Sequence, residues 1–434
     1  QHMSLAQILD QLHSHLLVEA EKAALILLHP ESKYRSALVA HLINSETQHV
    51  VYYALGPDDL DLSSFLYSLA HDVARQHPSF GRHLNLLSGA EIGDHVPAEK
   101  RFEHLLQAFI EDLHELSSTT LYLILDEYDC ADSADDIQRF VERAAFQLPP
   151  GCKLILNGRT LPRLSWYALI AAGKAAILDD GGALLSDFHR APNQQGNPVL
   201  QIRALGPGFV LLNDKPIDTW EGHLPRLLFF FAVDRPAITR SEICAAFWPD
   251  MEIEQAVNVF HVTKRRLHKA LGIDILDHTD DLYQISPFID VDYDVSHFVT
   301  SLSRSRRAEG EEKTRHLQDA VAIYSNPFLR GHNDPWIVER REAYAAGFVE
   351  AQSMLAAIRR HEGRNNHALA HILRALDADW IRKELHVELM ELYVLLGRRS
   401  EAVAHFHRLS DEAARVERTL APEIIEAYEK IIAG

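Results

Sequence analysis

The sequence is poor in cysteine, has no long apolar run and, over one stretch, has no acid. Three cysteines in 434 residues exclude a disulfide scaffold and imply a reducing, cytoplasmic setting. Cys130, Cys152 and Cys244 have no metal-ligand spacing among them. The 26 histidines are scattered singly, without an HExxH or HxH cluster, so no metal site is expected. No apolar run reaches the roughly 18 residues of a membrane span and no signal peptide is legible, so no membrane partner is expected. Gln1-His2 read as an addition ahead of Met3.

A formal net charge of −19 works against coating DNA with the whole surface. Any nucleic-acid contact must therefore come from a local patch. The stretch Glu254 to Gly272, EQAVNVFHVTKRRLHKALG, is such a patch, with no acid between Gln255 and Ile273. Val257, Phe260, Thr263, Leu267, Ala270 and Leu271 fall on one stripe at helical spacing. The other side carries Asn258, His261, Lys264, Arg265, His268 and Lys269. A recognition helix for DNA has this pattern. So does a solvated helix whose cations gather where the helix dipole favours them.

The flanks bear on that choice. Ile238 to Asp250, ITRSEICAAFWPD, reads as a helix capped by Ser241, with Ile243, Ala246 and Phe247 inward and Pro249 ending it. A short acidic turn leads into the basic helix, giving helix, turn, helix. After Gly272, Ile273–Leu276 and Leu282–Ile285 flank the polar turn His278-Thr-Asp-Asp281, which reads as a hairpin wing. Upstream, VLQIRALGPGFVLLNDKPI alternates apolar and polar residues, with turns near Gly206-Pro-Gly208 and Asn213-Asp214, and makes a small leading sheet.

This order resembles the winged helix-turn-helix of OmpR-type regulators. The form is that of the antibiotic regulatory protein family, where it precedes a bacterial transcriptional activator domain. The likeness rests on IRALGP (202–207), PAITRSE (236–242), FWPD (247–250) and NVFHVTKRRLHKALG (258–272). It implies double-stranded DNA as a partner. Lys264, Arg265 and Lys269 are then expected at phosphates or bases, Asn258, His261 and His268 at base edges, and Arg240 and Ser241 at the backbone. The wing is acidic at Asp280-Asp281, which argues against strong minor-groove contact.

Residues 4 to 190 alternate strand and helix. Ala23–Leu28, Val50–Ala54, Leu121–Leu125 and Leu154–Leu156 read as buried parallel strands. Helical stretches run over 37–43, from Leu62 to His77 and from Lys100 to Leu116, so a parallel α/β domain is expected. Strand, loop and helix, followed later by a strand ending in Asp126-Glu127 and then by Asn157-Gly158-Arg159-Thr160, resemble a P-loop ATPase of the STAND class, close to the maltose-regulon activator type. The resemblance implies Asp126 at the Mg²⁺ position, Glu127 at the water-activating position and Arg159 as a sensor. The phosphate loop departs from the family pattern. G-x-x-x-x-G-K-[ST] needs glycines for a backbone cradle and a lysine for the β/γ oxygens. Here Tyr34 stands at the second glycine and Arg35 at the lysine, and only Ser36 keeps its type. No cofactor is therefore named. ATP or ADP, held by Arg35, Ser36 and Asp126, is the one candidate, and hydrolysis is not expected.

Asp179–Pro198, rich in Gly, Pro, Asn and Gln, reads as a boundary. Past the wing, the chain from Lys313 onward reads as helices with short turns. Pro335–Arg360 with Asn366–Leu376, and Lys383–Leu396 with Ser400–Leu409, form two helical pairs. Ala368, Ala370, Leu373 and Ala375, then Leu389, Tyr393, Leu396, Ala402, Ala404 and Phe406, look like tetratricopeptide-type packing. The segments 326–344 and 382–409 resemble the bacterial transcriptional activator domain. Trp336 and Arg340 are either a partner surface or a core anchor.

The expected fold class is multidomain α/β plus α. It comprises a P-loop-like parallel domain (4–190), a winged helix-turn-helix (199–296) and a tetratricopeptide-like domain (297–434). The expected function is transcription regulation through DNA, with RNA polymerase or a second copy of the chain engaged by the C-terminal helices. Two rivals stand beside it. A nucleotide-switched ATPase predicts that the basic face of the winged helix is covered. A protein scaffold without DNA predicts that Lys264, Arg265 and Lys269 are paired with acids.

Overall fold

The computed structural model describes residues 3–47, 49–116, 119–178, 188, 189, 192 and 196–434. The expected boundary segment Asp179–Pro198 lies largely outside the described residues. Cα proximity divides the chain into two compact units. One holds 1–202 with 209–293, the other 203–208 with 294–434.

The first unit begins with α1 (Leu5–Lys22), β1 (Leu25–Leu28), α2 (Arg35–Ile43), β2 (His49–Ala54), α3 (Leu62–Ala74), α4 (Arg82–Leu86), α5 (Gly89–Ile92) and α6 (Ala98–Leu116). It continues with β3 (Leu121–Asp126), α7 (Asp135–Gln147), β4 (Cys152–Leu156), α8 (Trp166–Ala171) and β5 (Ala175–Leu178). The five strands form one parallel sheet in the order β2-β3-β4-β1-β5. β1, β4 and β5 are apolar almost throughout and buried along most of their length. That is how strands read when a sheet is covered on both faces. The short helices α4, α5 and α8 and the helix α7 go beyond the sequence reading, as do a strand and the leading helix. Ala175–Leu178 is a fifth strand, and α1 packs Leu12, Leu16 and Ala20 into the cluster around Ile26 and Leu38.

The same unit then carries β6 (Val199–Arg203), β7 (Phe209–Leu212), β8 (Lys215–Pro216), α9 (His223–Val233), β9 (Ile238–Thr239), α10 (Arg240–Phe247), α11 (Ile253–Leu271), β10 (Leu276–Thr279), β11 (Leu282–Ile285) and β12 (Asp290–Tyr293). One sheet orders as β12-β6-β7-β8 and the other as β10-β11-β9. Both tight turns have the expected chemistry. Asn213-Asp214 and Asp280-Asp281 hold positive φ at both central positions, the geometry that matches the right-handed twist of a hairpin. The wing's first strand starts at Leu276, three residues later than its apolar run suggests.

The second unit is helical, with α12 (Asp294–Arg307), α13 (Gly310–Ile323), α14 (Pro335–His361), α15 (Asn365–Ala378), α16 (Lys383–Leu395), α17 (Arg399–Arg415) and α18 (Pro422–Ala433). The short segment 203–208 belongs to it. Asp294, almost fully buried, accepts from the backbone N–H groups of Ala204 (2.9 Å) and Leu205 (3.0 Å). Leu329 N–H donates to Ala204 C=O at 2.9 Å. Ala368, Ala375 and Ala402 are buried as expected. Ala370, Leu373 and Ala404 are exposed instead, because Leu369, Ile372 and His405 hold the inward positions. Trp336, 7 % exposed, and Arg340, 3 % exposed, are core residues of α14. Trp336 meets Phe328 edge-on and does not form an open surface.

Candidate nucleic-acid interface

α11 is the third helix of the winged fold. Its inner face buries Ala256, Phe260, Thr263, Leu267, Ala270 and Leu271. Val257 is only half-buried. Gly272 closes the helix at φ +72°, and its N–H donates to His268 C=O at 2.8 Å; a glycine meets that left-handed requirement at no steric cost. Thr219 Oγ1 caps the Ala270 carbonyl at 3.0 Å.

The outward face carries Asn258, Val262, Arg265 and Lys269, all exposed. Their spacing of four, three and four residues places them one above another. Arg265 has no ion pair among the described residues. Lys269 meets Glu221 at 2.5 Å, and Arg266 lies 3.8 Å from the same carboxylate. The Lys269 ammonium holds the Glu221 carboxyl below its usual range. Lys264 turns toward the wing and stands 5.5 Å from the centre of the Tyr283 ring, within cation–π range. His261 lies partly covered beside Lys264, Arg240 and Arg265. Burial first, then those cations, lower its pKa, so its ring is neutral near pH 7.

His268 is a correction. Its Nδ1 lies 2.8 Å from Asp274, and its Nε2 faces the Leu276 N–H at 3.4 Å. Burial lowers its pKa. Both nitrogens face groups at the start of the wing, so in this structure His268 is turned toward the hairpin. Ser241 is another correction. The cap of α10 is Thr239, whose hydroxyl accepts from Glu242 N–H at 3.1 Å, while Glu242 accepts from Thr239 N–H at 2.9 Å. Ser241 and Arg240 stand exposed in the first turn.

That same turn is joined to the α/β part of the unit. Thr239 Oγ1 donates to Asp135 at 2.8 Å. Arg163, 1 % exposed, donates through Nε to Asp132 C=O (2.6 Å) and through Nη2 to Asp135 (2.8 Å). Its Nη1 lies 2.7 Å from Glu242 as an off-axis ion pair. Arg235 adds Glu242 at 3.3 Å and Glu142 at 3.8 Å. Neither Arg163 nor Arg235 stands out in the sequence, where each is one arginine among several.

The candidate nucleotide residues gather outside the carboxyl ends of β1, β3 and β4, where open α/β sheets hold ligands. Asn157 bridges two of them, Arg35 and Asp126. Arg35, at the first turn of α2, donates to Asn157 Oδ1 (3.0 Å) and Gly158 C=O (2.7 Å). Asn157 donates to Asp126 at 2.8 Å, and so does the Tyr52 hydroxyl at 2.8 Å. Burial and this bond push the Tyr52 pKa up to about 12. Arg159 is paired with Asp129 at 2.8 Å. Gly158 lies so close that a Cβ there would meet the Asp129 backbone nitrogen at 3.1 Å. Glu127 sits at φ +52° and is exposed, as is Ser36. Tyr34 packs its ring against the core cluster of α1 and α2. Arg35 thus ties the first turn of α2 to the residues that follow β4, and Tyr34 packs on the core. Among the described residues no group of three or more metal-ligating side chains comes together, and no helix is long and apolar enough to cross a membrane.

Residues 293–431 match the family of the bacterial transcriptional activator domain. Residues 32–159 match the N-terminal region of nephrocystin 3. No curated protein sequence matches the chain. Among solved structures, EmbR of Mycobacterium tuberculosis, in complex with a low-affinity phosphopeptide, is similar at 19 % identity and TM-score 0.44, over 54 % of this chain and 65 % of that one. A STAND protein with a tetratricopeptide repeat sensor from Pyrococcus horikoshii is similar at 12 % identity and TM-score 0.27, over 96 % of this chain and 66 % of that one. The chain thus spans just under two thirds of each.

Proposed function

We propose that this chain, with its bacterial transcriptional activator domain over 293–431, is a sequence-specific DNA-binding transcription regulator of the activating kind. The observation that carries the reading is the open cationic face of α11. Arg265 and Lys269 are exposed there together with Asn258, on the helix that a winged helix-turn-helix lays in the major groove. An exposed face counts against the covered-face rival. An Arg265 with no acid partner among the described residues counts against the scaffold rival, although Lys269 is paired with Glu221.

In this reading the chain works as three modules: 4–190, 199–296 and 297–434. Lys264, Arg265 and Lys269 neutralise phosphates or reach guanines, Asn258 and the neutral His261 read base edges, and Arg240 and Ser241 lie along the backbone. The C-terminal helices engage RNA polymerase or a second copy of the chain. The α/β module neither hydrolyses nor requires a nucleotide, since Arg35 and Asn157 already satisfy its strand-end groups. It serves as a platform for α10. Footprinting on the upstream region of the gene tests the proposal. A discrete protected site, lost in Lys264→Ala/Arg265→Ala, supports it. Uniform or absent protection contradicts it.

A further inference from the structure

Val262 is an exposed apolar residue on the helix that carries it. It is 43 % exposed, so it contributes little to the core. Valine is a weaker helix former than alanine or lysine, because its branched side chain loses rotamer freedom in a helix. Yet it sits at the middle of the outward face, four residues from Asn258 and from Arg266 and three from Arg265, with His261 beside it in sequence. A lone apolar residue within a cationic and amide-bearing surface matches one target. The major groove offers hydrogen-bonding groups at every base pair and a single kind of apolar group, the C5-methyl of thymine. The charge around Val262 complements the phosphates that flank such a methyl.

A second exposed apolar residue sharpens the assignment. Ile253, 79 % exposed, opens the same helix. Its sequence neighbours are Glu252 and Glu254. A carboxylate pair repels the sugar–phosphate backbone, so Ile253 lacks the cationic setting that Val262 has.

We propose that Val262 is a specificity-determining contact, packing its methyl groups on the C5-methyl of one thymine in the bound site. The inference rests on the DNA-binding reading above. It makes that reading finer, since it demands an A·T pair with a fixed strand polarity opposite the centre of α11. Removing one buried methyl lowers affinity roughly fourfold.

The test uses the full chain. Bound duplexes are selected from a random pool, and each thymine of the selected site is then replaced singly by deoxyuridine, which keeps base pairing and deletes only the methyl. The expected result is one thymine per site whose replacement weakens binding about fourfold for the wild type. Val262→Ala binds the thymine and uracil duplexes alike, whereas Val262→Thr, which keeps one methyl, retains a penalty. The position is exposed and alanine favours helix, so Val262→Ala folds, and its circular dichroism matching the wild type verifies this. If no thymine is sensitive, or the penalty persists unchanged in Val262→Ala, the inference is overturned while DNA binding stands. If the pool yields no enriched site, the regulator reading itself fails, and the inference with it.

Discussion

In the proposed reading, Glu221 limits how much of the α11 face is available to DNA. Its carboxylate meets Lys269 at 2.5 Å and lies 3.8 Å from Arg266. Both are exposed pairs, so they add little to stability, but they place a negative charge at the rim of the face. Glu221→Gln is expected to tighten DNA binding several-fold at low salt, with the gain fading as salt rises; a fluorescence titration at two ionic strengths measures it. Arg35 belongs to this scale too. Arg35→Ala removes a charged donor from Asn157 and Gly158 and is expected to cost about 1 kcal/mol. ATP or ADP at millimolar concentration is expected to leave the melting temperature unchanged in the wild type; a rise of several degrees would mean that the strand-end cluster opens for nucleotide. At this scale the sequence was partly legible. The composition of 258–269 marked the cationic face, and the turn residues Asn213-Asp214 and Asp280-Asp281 marked the hairpins. The sequence did not show which way Lys264 and His268 turn. Their directions follow from Tyr283 and Asp274, whose approach depends on how the wing folds back. Val262 was within reach of a helical count from Asn258 and was missed because it is not polar.

Among the elements, the pair α16–α17 holds an acid-sensitive contact. His386 Nδ1 and His405 Nε2 lie 2.9 Å apart, each residue 3 % exposed, with His386 Nε2 donating to Trp380 C=O at 2.6 Å. Burial first, and the His386 ring second, lower the His405 pKa to about 4. A histidine with a folded-state value below its unfolded value of about 6.5 binds its proton more readily when unfolded. Its contribution is therefore complete above pH 6.5 and is lost as pH falls toward 4. About 2 kcal/mol is expected to go by pH 5. His405→Leu should remove most of that pH dependence of the unfolding midpoint of the C-terminal helices between pH 7 and 5; an unchanged dependence would place the acid response elsewhere. The elements themselves were the most readable feature. Helices α14 to α17 follow the 3.6-residue period, and their ends fall within a few residues of the sequence reading except at the C-terminal end of α17. Two shortfalls have physical causes. Ala-Ala-Ile-Leu at 175–178 is too short for period to separate strand from helix. Ala370, Leu373 and Ala404 were placed inward because small or apolar residues occupy both the inner and the outer face of α15 and α17.

For the whole molecule, the joint between the α/β part and α10 is what the sequence concealed. Arg163 is buried among Asp132, Asp135 and Glu242, and Glu242 is far along the chain from the two aspartates. Truncating one partner of a buried ionic cluster strands the others, at a cost of about 3 kcal/mol or more. Arg163→Ala is expected to split the melting of this unit into two transitions and to expose the α10 N-terminus to limited proteolysis. A single transition at the wild-type temperature would show that the joint is dispensable. The order of the strands and helices was legible from motif order. The division into units was not, because the return of 203–208 to Asp294 and Leu329 depends on backbone groups that every residue possesses. The central claim, that an acidic chain binds DNA through one cationic helix face, is tested most directly by the salt dependence of binding to the footprinted duplex. Each phosphate contact lowers the slope of log affinity against log salt by about 0.9. Arg265→Ala is expected to weaken binding and to reduce the steepness of that slope by about one contact, whereas alanine at an exposed cation elsewhere, such as Arg315 on α13, leaves it unchanged. A wild-type slope near zero, or the same slope in both variants, would contradict the account.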